Sequence, residues 1–300
     1  MPKVSVITRT YDRLPLLKRC FASLLKASIE DLEWIVVDDE PGGSPHVAGF
    51  IESARSTSTV PIRLVVSGTR HRAKAANAGL AAATGALIHF LDDDDTVGRT
   101  FYRGTSDFLA ENSRFGAVVA LADRVLERRM PDGSFADLRR IPHYPETRAV
   151  SLAELAVVQV FAPVAFVARR ECIDAVGGFS EKFEVCEDYD FYLRFLTRFD
   201  IGVLPEVLCA FHQRAEGDDV PESWLNSSAS RQHRIEDRLF RNALLRQDLE
   251  QGKMGIGWLL ALGDMTRAAW RINLVLDALQ RRSWPRAFFN WLRRGNQRRR

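Results

Sequence analysis

The sequence lacks the signatures of several function classes. Its four cysteines, Cys20, Cys172, Cys186 and Cys209, are scattered with no CxxC pair, which fits reduced thiols better than a disulfide frame or a zinc site. No uninterrupted apolar run reaches the roughly 18 to 20 residues that a membrane-spanning helix requires. The start, residues 1–7, goes straight into strand-like sequence without a signal-peptide pattern. A cytoplasmic location is therefore expected. There is no GxxxxGK phosphate loop and no GxGxxG turn, which argues against P-loop hydrolases and dinucleotide oxidoreductases. Internal repeats are not visible, and no nucleic-acid reading motif accompanies a basic main domain, so nucleic acid is not an expected partner.

What is present describes a globular chain. Its 300 residues are 46% apolar, 27% charged and 10% aromatic, enough to bury a sizeable core in one large domain or two small ones. The formal charge of +3 is unevenly distributed. Residues 263–300 hold ten arginines and two aspartates, a local +8, so the preceding part carries −5.

Apolar spacing gives the organisation. Residues 4–8, 33–39, 62–66 and 86–91 read as buried-type strands, and 14–25, 47–54 and 77–83 as intervening helices, the last stopped by Gly85. Strand and helix alternate, which argues for a parallel sheet. After residue 100 the alternation weakens. Strands are expected over 115–121, 160–167 and 203–211, helices over 151–157 and 189–199, and a turn at 130–133. From about residue 222 the pattern is helical, with 234–251 and 258–279 as the longest stretches and a break at 283–285.

The carboxylates carry the chemical signal. Ligands of an open parallel sheet bind at the carboxyl ends of its strands. Two of the four expected strands end there in Asp38-Asp39 and Asp92-Asp93-Asp94-Asp95. So many acids on one edge repel one another unless a cation or hydrogen-bond donors compensate, although any one of them could equally cap a helix. Oxygen ligands in small number suit Mg2+ or Mn2+, ions that also bind substrate phosphates. A phosphate-bearing ligand is implied.

These residues resemble the inverting glycosyltransferases of family 2, which have the GT-A fold. The resemblance rests on the run from Val4 to Arg13, Ile35-Val36-Val37-Asp38-Asp39-Glu40, and Asn77-Ala78-Gly79. It continues with Thr84-Gly85 leading to Phe90-Leu91-Asp92-Asp93-Asp94-Asp95, then Gly177-Gly178-Phe179 and Glu187-Asp188-Tyr189-Asp190 running on to Arg194. It spans roughly residues 2–214, in the family's order and spacing.

The resemblance implies an α/β fold of GT-A type, with a mainly parallel central sheet flanked by helices, a Rossmann-like nucleotide-binding half, and a helical C-terminal extension. Residues 1–100 would bind a nucleotide-diphosphate sugar, 101–220 the acceptor, and 221–300 would form a basic helical region. Thr8, Arg9, Tyr11, Asp38, Asp39, Arg72, Asn77, Asp92 and Asp93 match donor-binding positions. Asp92 and Asp94 match the DxD motif that places Mg2+ or Mn2+ on the diphosphate, with His212 a possible third ligand and Arg214 close by. The family's arginine just before the Asn77 position is replaced by Ala75-Ala76, with Lys74, Arg72 and Arg70 further back. Asp188 stands at the catalytic-base position, with Glu187 beside it.

Glu187, Asp188 and Asp190 also open an expected helix, where acids favour the dipole. The implied reaction is transfer of a hexose from a nucleotide-diphosphate sugar, UDP-sugar favoured, to a glycan or lipid-linked hydroxyl, with inversion. Two alternatives stay open on the residues alone. One is another metal-dependent phosphoryl or nucleotidyl transferase, and the other is a non-catalytic nucleotide-sugar-binding scaffold. Trp258, Leu259, Leu262, Met265, Ala269, Ile272, Leu276 and Leu279 recur at helical spacing, and Trp284, Phe288, Phe289, Trp291 and Leu292 lie among arginines. Such a segment suits either an anionic membrane surface or packing on the catalytic domain.

Overall fold

The computed structural model describes residues 4–27, 29–183, 185–214 and 231–281. β1 (Val4–Thr10) is followed by α1 (Leu14–Ala27), β2 (Leu32–Asp38), α2 (Pro45–Thr57), β3 (Ile62–Val66), α3 (Arg72–Ala82) and β4 (Leu87–Phe90). β1 and β2 are buried almost throughout, as central strands covered on both faces must be. β1 pairs in parallel with β2 and β4, and β2 in parallel with β3. The alternation read from the sequence is therefore a parallel sheet here. α1 buries Leu17, Phe21 and Leu24 on one face, and Phe21 stacks on Trp34 with ring centroids 4.6 Å apart. α3 lies close over the sheet because of Gly79, where a Cβ would stand 2.3 Å from the Ile7 side chain.

The second half comprises β5 (Thr96–Val97), α4 (Phe101–Glu111), β6 (Phe115–Arg129), β7 (Phe135–His143), α5 (Leu152–Val157), β8 (Phe166–Arg169), α6 (Arg170–Val176), α7 (Glu187–Leu196) and β9 (Asp200–Arg214). The sheet continues in the order β3-β2-β1-β4-β8-β6-β9-β5, with β7 beside β6. β8 is antiparallel to both β4 and β6, β7 and β5 are antiparallel to their partners, and β9 runs parallel to β6. The sheet is mixed overall, with parallel pairing among β1 to β4 and between β6 and β9. The strand expected over 160–167 begins only at Phe166. Pro163 starts a 3-10 turn there and offers no N–H to a ladder. β5 is two residues long and β7 is largely polar, so neither has a readable apolar pattern.

α8 (Arg231–Glu250) and α9 (Ile256–Arg281) pack on the second half. Phe240 is buried against Phe183 and Tyr189. Gly257 fits under the Leu244 backbone, and Gly263 under the Ala156 carbonyl, where a Cβ would meet oxygen at 2.5 Å. The packed face of α9 thus includes Ile256, Gly257, Leu259, Leu260 and Gly263, whereas Trp258, Leu262 and Met265 are exposed. Of the hydrophobic stripe anticipated from spacing, Leu259 packs against the core, while Trp258, Leu262, Met265 and Ala269 are exposed. Among the described residues no helix is long and apolar enough to cross a membrane. The expected break at 283–285 and the aromatic-arginine tail lie outside the described residues.

Candidate active site at the carboxyl edge of the sheet

β1, β2 and β4 deliver their carboxyl ends to one edge, and the acidic residues meet there. Asp39 follows β2, and its Oδ1 accepts from the Ser67 and Thr69 hydroxyls and from the backbone N–H groups of Thr69 and Arg70. Asp38 is turned into the following loop. It accepts from the N–H groups of Glu40 (3.1 Å) and Ser44 (2.6 Å), fixing the turn that starts α2. Tyr11 is half-buried, with the Arg70 guanidinium 5.6 Å from its ring centroid. Thr8, although on β1, is fully buried and its hydroxyl accepts from the Trp34 indole N–H at 2.9 Å. Its side chain faces the core and not the cleft.

The turn after β4 is laced with arginines. Arg9 donates through one guanidinium nitrogen to Asp92 Oδ1 at 2.8 Å and through the other to Glu187 Oε1 at 2.9 Å. Arg72 reaches the same Glu187 oxygen through Nε at 3.0 Å and approaches Asp92 at 3.9 Å. Arg13 lies 3.5 Å from both Asp93 and Asp94, and Arg214 pairs with Asp94. Asp95 accepts the backbone N–H of His212 at 3.0 Å. Deeper in, Glu127 of β6 holds Arg19 (2.5 Å), Arg214 (2.9 Å) and His212 Nδ1 (2.9 Å).

His212 is thereby set among Glu127, Asp95 and the Thr96 hydroxyl, which lies 2.9 Å from Nε2. Arg13, Arg19 and Glu127 were not anticipated as parts of the site, since nothing in a one-dimensional pattern pairs residues 81 to 108 positions apart.

α7 presents its first turn to the same cleft, and its three acids diverge. Glu187 is buried and gripped by Arg9 and Arg72. Asp190 is buried on Arg194 (2.7 Å), which also donates to the carbonyls of Val176 and Gly178. Asp188 lines the cavity. Asn77 fastens the Gly177-Gly178-Phe179 turn. Its amide donates to the Phe179 carbonyl and accepts the Phe179 N–H, both at 2.9 Å. Gly178, at φ +47°, leaves room for this clasp, since a Cβ there would stand 2.9 Å from Asn77 Oδ1. Asn77 and Asp190 are thus committed to shaping the turn before α7.

The charges perturb one another in readable ways. Burial would push Glu187 up, but Arg72 and Arg9 overcome it and hold its carboxyl below the ordinary range. Asp92 is held well below its ordinary value in the same manner by Arg9 and Arg72. Burial pushes Asp188 up to about 6, and the neighbouring Glu187 charge adds to the effect. Asp93 is likewise pushed up to about 6 by burial against the pull of Arg13, and Asp95 well above the ordinary range by burial and its neighbours Asp94 and Asp92.

The cavity between these walls has a volume of about 420 Å³. Arg13, Arg72, Asp92 and Asp94 line it, as do Glu187 and Asp188 of α7. Tyr144, Phe161 and Phe211 supply aromatic surface, and α8 and α9 contribute His233, Arg241 and Arg267. The C-terminal helices therefore complete the cleft.

The donor set suits a hard divalent cation. Five guanidiniums (Arg9, Arg13, Arg19, Arg72 and Arg214) stand among seven carboxylates (Asp92, Asp93, Asp94, Asp95, Glu127, Glu187 and Asp188), which leaves negative charge in excess. Asp93 Oδ2 is buried with no hydrogen-bond partner among the described residues, an uncompensated state that a nearby cation relieves. Glu127, Asp137 and His212 also bring three potential ligand atoms within 4.8 Å of one another. There Arg19 and Arg214 pair with Glu127, as Arg9 and Arg72 pair with Asp92 and Arg13 and Arg214 with Asp94.

Comparison with known proteins agrees with this geometry. The family model for Glycosyl transferase family 2 matches residues 5–174, and the chain belongs to that family. EpsJ of Bacillus subtilis (strain 168), an uncharacterized glycosyltransferase, is 30% identical over 112 residues, covering 37% of this chain and 32% of its own length. The O-antigen biosynthesis protein RfbC of Myxococcus xanthus is 30% identical over 197 residues, 64% of this chain and 14% of RfbC. The chain thus spans about a third or less of these two relatives.

Among solved structures, S. aureus TarS 1–349 in complex with UDP-GlcNAc matches with TM-score 0.60 and 19% identity, over 81% of this chain and 66% of that one. Mannosyltransferase PcManGT from Pyrobaculum calidifontis, in complex with GDP-Man and Mn2+, matches with TM-score 0.60 and 18% identity, over 97% and 83%. At such identities the likeness is one of fold, and that fold is GT-A.

Proposed function

We propose that this family 2 glycosyltransferase moves a hexose from a nucleotide-diphosphate sugar, UDP-sugar favoured, to a hydroxyl of a glycan or lipid-linked glycan, with inversion and with Mg2+ or Mn2+ as cofactor. The observation that carries the reading is that Asp188 lines the same cleft as Asp92 and Asp94. The nucleotide-sugar complexes of TarS and PcManGT support the donor class, and the Mn2+ in the latter supports the cofactor.

Asp92 and Asp94 would hold the cation, with Asp93 adjoining. When bound, the cation supplies charge neutralisation for the diphosphate leaving group. Asp39 and Tyr11 flank the place for ribose and base. Arg13 and Arg72, on the cavity wall, add positive charge where the diphosphate develops its negative charge. Asp188 removes the proton of the acceptor hydroxyl as that oxygen attacks the anomeric carbon. The carbon–oxygen bond to the diphosphate breaks on the opposite face, nucleoside diphosphate departs, and the configuration inverts. A base acting near neutral pH is best with an elevated pKa, and the buried position of Asp188 beside Glu187 provides one.

Screening nucleotide sugars for cation-dependent turnover tests this directly. Release of nucleoside diphosphate with an inverted glycosidic product is expected. Release of pyrophosphate would identify a nucleotidyl transferase, and binding without turnover a scaffold.

We also place the working enzyme at the cytoplasmic face of an anionic membrane. The exposed Trp258, Leu262 and Met265 of α9 and the arginines of residues 263–300 support this reading. Removing residues 282–300 should reduce sedimentation with anionic vesicles, and more so at low salt. Undiminished binding would reject it.

A further inference from the structure

Resting on the transferase reading, we propose that Arg9 is a positioning residue that ties the acceptor side of the cleft to the donor side. Its single guanidinium joins Asp92, at the cation-binding turn after β4, to Glu187, which immediately precedes Asp188 on α7.

The geometry of the side chain supports a fixed brace. Arg9 leaves β1 with only 14% of its side chain exposed, and the nitrogen that binds Glu187 also donates to the Arg72 carbonyl at 3.1 Å, at the start of α3. Three elements far apart in sequence are therefore held by one planar group: the β4 turn, the start of α3 and the start of α7. A guanidinium can do this because it carries several donors in a rigid fork, whereas an ammonium is a point charge on a flexible stem. Two of the three acceptors, Asp92 and Glu187, are carboxylates, so those two bonds are of the stronger charge-assisted kind.

The consequence falls on Asp188. The first turn of α7 follows Cys186, which holds a left-handed backbone at φ 65°. The preceding loop is already fastened by Asn77 and Arg194. Glu187 is the remaining point at which the turn is anchored toward the donor. With that anchor in place, Asp188 is held at a set distance from the turn carrying Asp92 and Asp94. Asp188 is faced by Glu187 on its own helix, by Arg9 from β1 and by Arg72 from α3. Asp92, Asp237 and His233 share its cavity. Removing Arg9 withdraws a positive charge from this set as well as the brace.

A brace of this kind acts on turnover and not on donor affinity. Arg9→Gln should lower kcat about ten- to a hundredfold, the range seen when residues supporting functional groups are removed. Binding of UDP with Mn2+ should be no weaker than in the unaltered protein, because Asp92 loses a competing partner. The acid limb of the kcat–pH profile should move to higher pH, since a cation near Asp188 is gone. Glu187→Gln should lower kcat similarly, and the double variant should fall no further than the worse single one, as partners in one interaction do.

Circular dichroism and thermal unfolding check the fold. Where Arg9→Gln fails to fold, Arg9→Lys carries the test, because an ammonium that retains the charge but loses the fork should still lower kcat. Weakened UDP–Mn2+ affinity would make Arg9 a donor ligand and overturn the brace, as would multiplicative losses in the double variant. An active unaltered enzyme whose Arg9→Gln variant keeps its kcat would overturn the brace alone. An unaltered chain inactive with every donor screened would overturn the transferase reading and the brace with it.

Discussion

The sharpest test of the proposed chemistry is at Asp188. The carboxyl lines the cavity on the first turn of α7, and burial together with the Glu187 charge pushes its pKa up to about 6. A general base must be ionised, so turnover should be on its plateau above pH 7. It should fall about tenfold per unit once the pH drops below 6, which follows from a single required deprotonation. Asp188→Asn removes the base while keeping the shape and the hydrogen bond from the Tyr189 N–H.

General-base catalysis contributes about 10²- to 10⁴-fold, equivalent to about 2.7 to 5.4 kcal/mol of barrier at 1.36 kcal/mol per tenfold. The asparagine variant should lose kcat in that range with UDP–Mn2+ affinity unchanged, because a base that engages only the acceptor does not contribute to donor binding. Glu187→Gln supplies the complementary measurement. Removing a like charge favours the ionised form of Asp188, so the acid limb should move to lower pH. Steady-state kinetics over pH 4.5 to 8.5 and calorimetry with UDP and Mn2+ read both effects. Asp188→Asn with full turnover, or with lost donor affinity, would refute the assignment of the base.

The cation site predicts that Asp94→Asn sharply weakens UDP–Mn2+ binding by calorimetry while circular dichroism is retained, because the amide keeps a partner for Arg214. Glu127 is held down to about 2 by His212 and Arg19 despite burial. Its contribution to stability is therefore present above the unfolded carboxylate value, about 4.3, and is lost as the pH falls from there toward 2. The thermal midpoint should drop over that window, and Glu127→Gln should flatten the dependence. Phe240→Ala should cost about 3 to 5 kcal/mol in denaturant unfolding, the usual range for emptying a buried aromatic site. A loss under 1 kcal/mol would mean that α8 is not seated on Phe183 and Tyr189.

The nucleotide half was legible because its strands are continuous apolar runs separated by helical spacing, and each of β1 to β4 appears where that spacing puts it. The second half was harder to read for a physical reason. β6 and β9 each pair with several neighbours in both directions, and sequence periodicity carries no information about pairing direction. α9 misled in another way. Its seated face depends on Gly257 and Gly263, residues that contribute nothing to a hydrophobic pattern and act only by letting backbones approach. Of the apolar residues in that pattern, Leu259 packs on the core, whereas Trp258, Leu262 and Met265 are exposed.

At the site, density of charge was a better guide than motif position. The acidic run after β4 stood out because its desolvation needs compensation, and the structure supplies that compensation with arginines drawn from β1, α1, α3 and β9. Motif position alone cannot say which way a side chain turns. Thr8 is spent on Trp34, Asn77 on Phe179 and Asp38 on its own turn, three residues beside the cleft whose polar atoms hold the cleft's shape. The arginines illustrate the converse: each is unremarkable in sequence, yet together they select which buried carboxylates are held low against the upward push of burial. Asp92 and Glu187, both gripped by Arg9 and Arg72, are kept ionised, while Asp93 and Asp188, one position further along, are pushed toward neutral pH. Adjacent acids thus acquire opposite character, the arginines holding one down and burial pushing the next up. On α7 this leaves the firmly charged Glu187 beside the titrating Asp188 on the cavity wall. Such pairs suit a reaction in which negative charge must be held at the donor while a proton is taken from the acceptor.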